Sequence, residues 1–226
     1  WDNSFLKDLE ELSKHPKIVA IGEIGLDYYY DFSPKSKQIE AFKAQIELAL
    51  SLNKPIIVHN READDDILSI AREYSATGLR AQYHCFNGSL EHASELISMH
   101  HFISFTGNIT FKKADTLRNI AGKIHLNNLL LETDSPFMTP VPLRGKRNEP
   151  ANIRIIAEKL AEVHHVTVED IARATSYNAF KLFGIGKKPG VSYTYQIGKG
   201  LYINLTNRCS ADCIFCNRKN DAVVKG

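Results

Sequence analysis

The chain has 226 residues, 43% hydrophobic and 24% charged, which is enough apolar material for a core in one or two domains. Its 28 Lys and Arg against 26 Asp and Glu leave a formal charge of +2, so there is no global basic field and any nucleic-acid contact has to be local. No apolar run approaches the roughly 18 residues of a membrane span, and the opening "WDNSFLKDLEELSKH" lacks the basic start and apolar stretch of a signal peptide.

In chain order, "KIVAIGEIGLD" (17–27), "KPIIVHN" (54–60), "AQYHCF" (81–86), "HFISFTGN" (101–108) and "NLLLETDSP" (128–136) read as buried parallel strands. Between the first two, "QIEAFKAQIELALSL" spaces Ile39, Phe42, Ile46 and Leu50 by three and four, which predicts a helix with one buried face. "EADDDILSIAREY" and "SLEHASELISMH" behave alike. After the fifth strand come "ANIRIIAEKLAEVHH" and "TVEDIARATSYNAFKLFG", the latter with a Thr167…Asp170 capping-box pattern and a stop at Gly184.

Strand–helix alternation means an open doubly wound sheet or a closed (β/α)₈ barrel. "GEIG" lacks the Gly spacing of a dinucleotide turn, which weakens the Rossmann reading. The expectation is an α/β, TIM-type barrel with about five of the eight strands a complete barrel needs. Its domain spans 1–186. "GKKPGVSYTYQIGKG" then reads as a linker over 187–200, and "LYINLT" opens a second α/β domain over 201–226. Neither end looks complete in this reading: the chain does not start with Met, and the first βα units are expected before Trp1.

Glu23, His59, His84 and Asp134 each fall where an apolar run gives way to polar residues, the strand ends on which barrels build their sites. Singly, each has a structural explanation. Together, a mixed imidazole–carboxylate set suits Zn²⁺, Mn²⁺ or Mg²⁺ and hydrolysis better than redox chemistry. Arg61, two residues after His59, either holds a phosphate or pairs with a carboxylate such as Glu62. Lys112 is a substrate contact or a solvated loop lysine. Arg144, Lys146 and Arg147 form the one local basic cluster, placed for phosphate contact. Asp27 is expected to orient a metal-holding side chain. His100–His101 and His164–His165 read as helix-end or surface residues, and Cys85 as a small buried hydrophobe.

The motifs "GEIGLDYYY", "PIIVHNREA", "HCFNGS", "ISFTGNITFKKA", "LLLETDSPFMTP" and "RGKRNEPANI" occur in the order and rough spacing of the TatD family. Residues 1 to about 186 thus resemble these metal-dependent hydrolases and deoxyribonucleases. The resemblance implies an amidohydrolase-type barrel with two metals, Glu23 bridging them, and His59 and His84 on the second. It implies that Asp134 serves the first metal and orients or deprotonates the attacking water, so that Asp134 and Glu23 are the catalytic residues. The implied substrate is DNA or another phosphodiester. A hydrolase of another ester or amide, or a non-catalytic docking module, stays open. The H-x-H pair of the family's first strand does not occur in this sequence.

Three of the chain's four cysteines, Cys209, Cys213 and Cys216, lie in "NRCSADCIFC". Clustered and odd in number, they point to a reducing, cytoplasmic compartment and to metal or cluster ligation. Structural zinc wants a fourth ligand, and no second C-x2-C or His pair follows. C-x3-C-x2-C after a strand closely resembles the radical S-adenosylmethionine (SAM) signature, which implies a 4Fe-4S cluster with one open iron that chelates SAM.

Overall fold

The structure, a computed structural model, describes residues 4–30 and 32–186, and the backbone of 194–197 and 200–203. It divides into two units, Trp1–Lys187 and Lys188–Gly226.

In the first unit, helix α1 (Ser4–Ser13) precedes strand β1 (Ile21–Asp27). Then follow α2 (Lys35–Ser51), β2 (Ile56–Arg61), α3 (Asp64–Glu73), β3 (Ala81–Tyr83), α4 (Leu90–Ser98), β4 (Phe102–Phe105), α5 (Asp115–Lys123) and β5 (Leu129–Leu131). Helices α6 (Ile153–His164) and α7 (Val168–Phe183) close the unit. The strands are parallel and ordered β1-β2-β3-β4-β5. A doubly wound sheet reverses its strand order at a switch point; this one never does, which is the arc of a barrel. The expected barrel-type α/β fold is what forms, with its five strands.

The local chemistry explains the elements. β3 and β4 are buried at every residue, as strands covered on both faces should be. α3 opens on Asp64, Asp65 and Asp66 and carries Arg72 in its last turn, charges that complement the helix dipole. Thr167 and Asp170 form the anticipated capping box of α7, and Gly184 ends it in a left-handed conformation. On α2, Phe42 and Ile46 are buried, while Ile39 and Leu50 pack half-buried against the same core. Its centre is Leu26, Ile56, Ile103, Ile109, Leu129, Ile156 and Ile171, none more than 1% exposed.

Two glycines shape β1 beside β2. A Cβ on Gly22 would lie 2.7 Å from Cβ of Ile57, and one on Gly25 (φ +143°) would lie 2.1 Å from the His59 carbonyl oxygen. Only residues without side chains let the two strands approach here.

The structure departs from the sequence reading in several places. The strands are shorter than the apolar runs, because each run's polar end curls into a loop. Helices α1 and α5 are additional; α5 buries only Leu117, Ile120 and Ala121, a pattern cut short by Gly122. His101 is not a helix-end or surface residue: it is 1% exposed, at the threshold of β4, with its ring 5.5 Å from that of Tyr83. The run "HFISF" continues the core back through His101. In the second unit, β6 (Thr194–Ile197) lies within the expected linker and pairs antiparallel with β7 (Gly200–Ile203). Glycine separates two runs of aromatic and branched residues there, a strand-pair pattern. Cys209, Cys213 and Cys216 lie outside the described residues.

Candidate metal centre

The parallel ladder continues past the strand ends and fixes the backbone there. Tyr28 N–H donates to the Arg61 carbonyl (2.8 Å), and His84 N–H to that of Val58 (3.0 Å). Past these points Glu62, Cys85 and Asp134 take positive φ (55°, 44° and 54°), turning the chain sharply just beyond β2, β3 and β5. The polar side chains are thereby gathered at one rim.

Glu23, His59 and His84 converge: one donor atom from each lies within 4.8 Å of the other two. Glu23 Oε1 is 2.7 Å from His59 Nδ1 and 3.2 Å from His84 Nε2. The two rings present opposite nitrogens because carboxylates hold their other sides. Asp27 Oδ2 is 3.2 Å from His59 Nε2, and Glu132 Oε2 is 3.0 Å from His84 Nδ1. A carboxylate behind each imidazole is the arrangement that orients metal-binding histidines.

Charge at the site follows from this packing. The hydrogen bonds from His59, then His84, hold the Glu23 carboxyl far below the usual range. Burial disfavours a charged His84, but its bonds to Glu132 and Glu23 more than offset that and push its pKa up to about 10. Glu23 raises His59 against the same opposing burial. Two imidazolium-stabilising pockets around one carboxylate oxygen form a site where a divalent cation can replace protons. The donor set, two nitrogens and a carboxylate with oriented rings, fits such an ion.

Asp134 stands outside this tight triad, yet it is electrostatically coupled to all three members. Burial raises its carboxyl pKa, and the negative charges of Glu132 and Glu23 raise it further against the opposing pull of His84.

Glu132 was not singled out from the sequence, where "LLLETDSP" drew attention to Asp134 two residues on. It is the hub of the rim, with Oε1 accepting from Cys85 N–H (2.6 Å) and Ser104 Oγ (2.6 Å) and Oε2 accepting from Gln82 Nε2 (3.0 Å). Its signal was being the first polar residue after β5. Cys85, for its part, is no simple hydrophobe. It is half-buried, its thiol is 3.3 Å from Thr106 Oγ1, and burial pushes its pKa up to about 12.

The basic residues are more dispersed. Arg61 lies at the end of β2 with its guanidinium 3.9 Å from the Tyr29 ring and 4.8 Å from that of Tyr30, and no ion pair joins it to Glu62. Arg144 lies 3.8 Å from the Phe111 ring, on a loop that Val141 N–H ties to Thr110 Oγ1 (2.8 Å), next to exposed Lys112. Arg147 is exposed on the same loop. No helix among the described residues is long and apolar enough to cross a membrane.

Known proteins resemble this chain in sequence and in fold. The family model of the TatD related DNases matches residues 1–184. The uncharacterized metal-dependent hydrolase YabD of Bacillus subtilis (strain 168) is 48% identical over 177 residues, 78% of this chain and 69% of YabD. The 3'-5' ssDNA/RNA exonuclease TatD of Edwardsiella piscicida is 34% identical over 188 residues, 81% of this chain and 72% of that protein. Among solved structures, YJJV, a TatD homolog from Escherichia coli K12, superposes with a TM-score of 0.77 at 29% identity, covering 82% of this chain and 72% of its own. By sequence and fold, residues 1–184 place this chain in the TatD family of metal-dependent hydrolases.

Proposed function

We propose that the first unit is a metal-dependent phosphodiesterase acting on nucleic acid, with DNA as the expected substrate. The observation that carries this is Glu23 Oε1 lying between two imidazoles whose far sides are both held by carboxylates. Glu23, His59 and His84 would hold the ion, Mg²⁺, Mn²⁺ or Zn²⁺, and Glu23 with Asp134 would serve a second one. When bound, a divalent cation supplies Lewis acidity to the phosphodiester and acidifies water. Asp134, its basicity raised by burial, takes the proton of the attacking water. Arg61, Lys112, Arg144 and Arg147 contact phosphates on the flanks. The name of the Edwardsiella relative supports a nucleic-acid substrate. The complete protein should release nucleotides from a single-stranded oligonucleotide with Mg²⁺ or Mn²⁺, lose this with a chelator, and lose it again as Glu23→Gln. Chelator-resistant cleavage, or cleavage of carboxylic esters or amides but no phosphodiester, would overturn the reading.

For the C-terminal cysteines we propose, on the spacing of Cys209, Cys213 and Cys216 alone, a 4Fe-4S cluster that binds SAM. Anaerobic reconstitution of the protein with its complete downstream domain should load iron and sulfide that Cys213→Ala abolishes and Cys85→Ala leaves in place. Zinc without iron after that treatment would make it a structural zinc loop.

A further inference from the structure

Beside the candidate metal centre lies a cluster of rings that the core does not use. Tyr29, Tyr30 and Phe32 are 54%, 43% and 88% exposed. Aromatic side chains bury most of their surface when they serve a core, so three exposed together call for a ligand. Their arrangement is ordered. Tyr30 and Phe32 are stacked, with centroids 5.1 Å apart and planes 10° apart, while Tyr29 meets Tyr30 edge-on at 4.8 Å. The Arg61 guanidinium covers Tyr29 and Tyr30. At 88% exposure, Phe32 has a free ring face.

One carboxylate ties this cluster to the site. Asp27 Oδ1 accepts from Tyr29 N–H (3.0 Å) and Tyr30 N–H (3.2 Å), while its Oδ2 orients His59. The platform and the ion-holding ring thus share one rigid anchor.

We infer that Tyr30 and Phe32 form a stacking platform for an unpaired base of single-stranded nucleic acid, with Arg61 on the phosphate beside it. This rests on the phosphodiesterase reading and names the residues that would receive a base of its substrate. Flat exposed rings accept any base through its π-face, and a guanidinium adds charge for the backbone. A duplex keeps its bases stacked on one another and offers the platform none, so single strands are selected.

Binding tests this without any turnover. The probes are a fluorescein-labelled single-stranded oligothymidylate and the same oligomer made of abasic sites, followed by anisotropy at fixed salt. Phe32→Ala should weaken binding of the oligothymidylate about five- to hundredfold, the span of one lost base stack, and leave the abasic probe unchanged. Phe32→Trp should restore it. Hydrolysis of methyl 4-nitrophenyl phosphate, which carries no base, should be measurable in the wild type. Equal weakening on both probes, or none on either, would overturn the platform. Absence of hydrolysis in the wild type with preserved base-dependent binding would instead defeat the phosphodiesterase reading and leave the platform standing.

Discussion

The Glu132 carboxylate lies 3.0 Å from Nδ1 of His84, on the side of the ring away from Glu23. It holds the proton there and aims Nε2 at the centre of the site. Glu132→Gln keeps the size but weakens this grip, and divalent metal affinity should fall about 10- to 100-fold by calorimetry. Unchanged affinity would mean that the backbone alone positions His84.

Protons and metal compete for the same nitrogens. In the metal-free protein the bonds to Glu132 and Glu23 push the His84 pKa up to about 10, and Glu23 raises that of His59, so protons compete with an ion for these nitrogens. Affinity should therefore rise with pH from 6 to 9, and binding should release protons. Titrations in buffers of different ionisation enthalpy measure that release. A pH-independent affinity would contradict the ligand set.

His101 gives the opposite sign. It is buried, both ring nitrogens lack a hydrogen-bond partner, and burial lowers its pKa to about 4. The unfolded chain takes up this proton near pH 6.5, the native protein only near 4. Stability from neutral His101 is thus full above 6.5 and is lost as pH falls through that window, by about 3 kcal/mol at most. His101→Leu should flatten the decline in denaturant midpoints between pH 6.5 and 4. The same slope in wild type and variant would assign the acid sensitivity elsewhere.

Gly25→Ala sets a side chain 2.1 Å from the His59 carbonyl in a backbone conformation at φ +143°. The strands must part, at a cost of roughly 2–4 kcal/mol, and His59 moves with its strand. Calorimetry should show a lowered Tm, and metal affinity should fall with it. A variant of wild-type stability would show that β1 yields freely.

The barrel arc was legible because parallel buried strands leave apolar runs, and the polar residues that interrupt or end them disclosed Glu23, His59 and His84, although Glu23 lies two residues into β1 rather than at its end. Glu132 was not, since a carboxylate acting through another side chain has no pattern of its own: its partners Gln82, His84 and Ser104 come from other strands. His101 misled because its neighbour His100 does sit at a helix end, with φ 66°, while burial changes within one residue. Arg61 was recognised as a candidate, but its stacking on Tyr29 and Tyr30 arises from a loop that folds back, which linear spacing does not encode.

Glu23 comes from within β1, His59 from within β2 and His84 from just past β3, and among the described residues β1 is hydrogen-bonded to a neighbour on one side only. An ion held by all three would bolt that margin to the strands inside it, across a gap of 36 residues between Glu23 and His59 that the chain alone closes at an entropic cost. Occupancy then becomes a folding variable as well as a catalytic one: at a free concentration one hundred times its Kd, the ion adds about 2.7 kcal/mol to the native state. Amide exchange along Ile24–Asp27 should slow in step with loading, so that metal supply governs how long this edge stays shut.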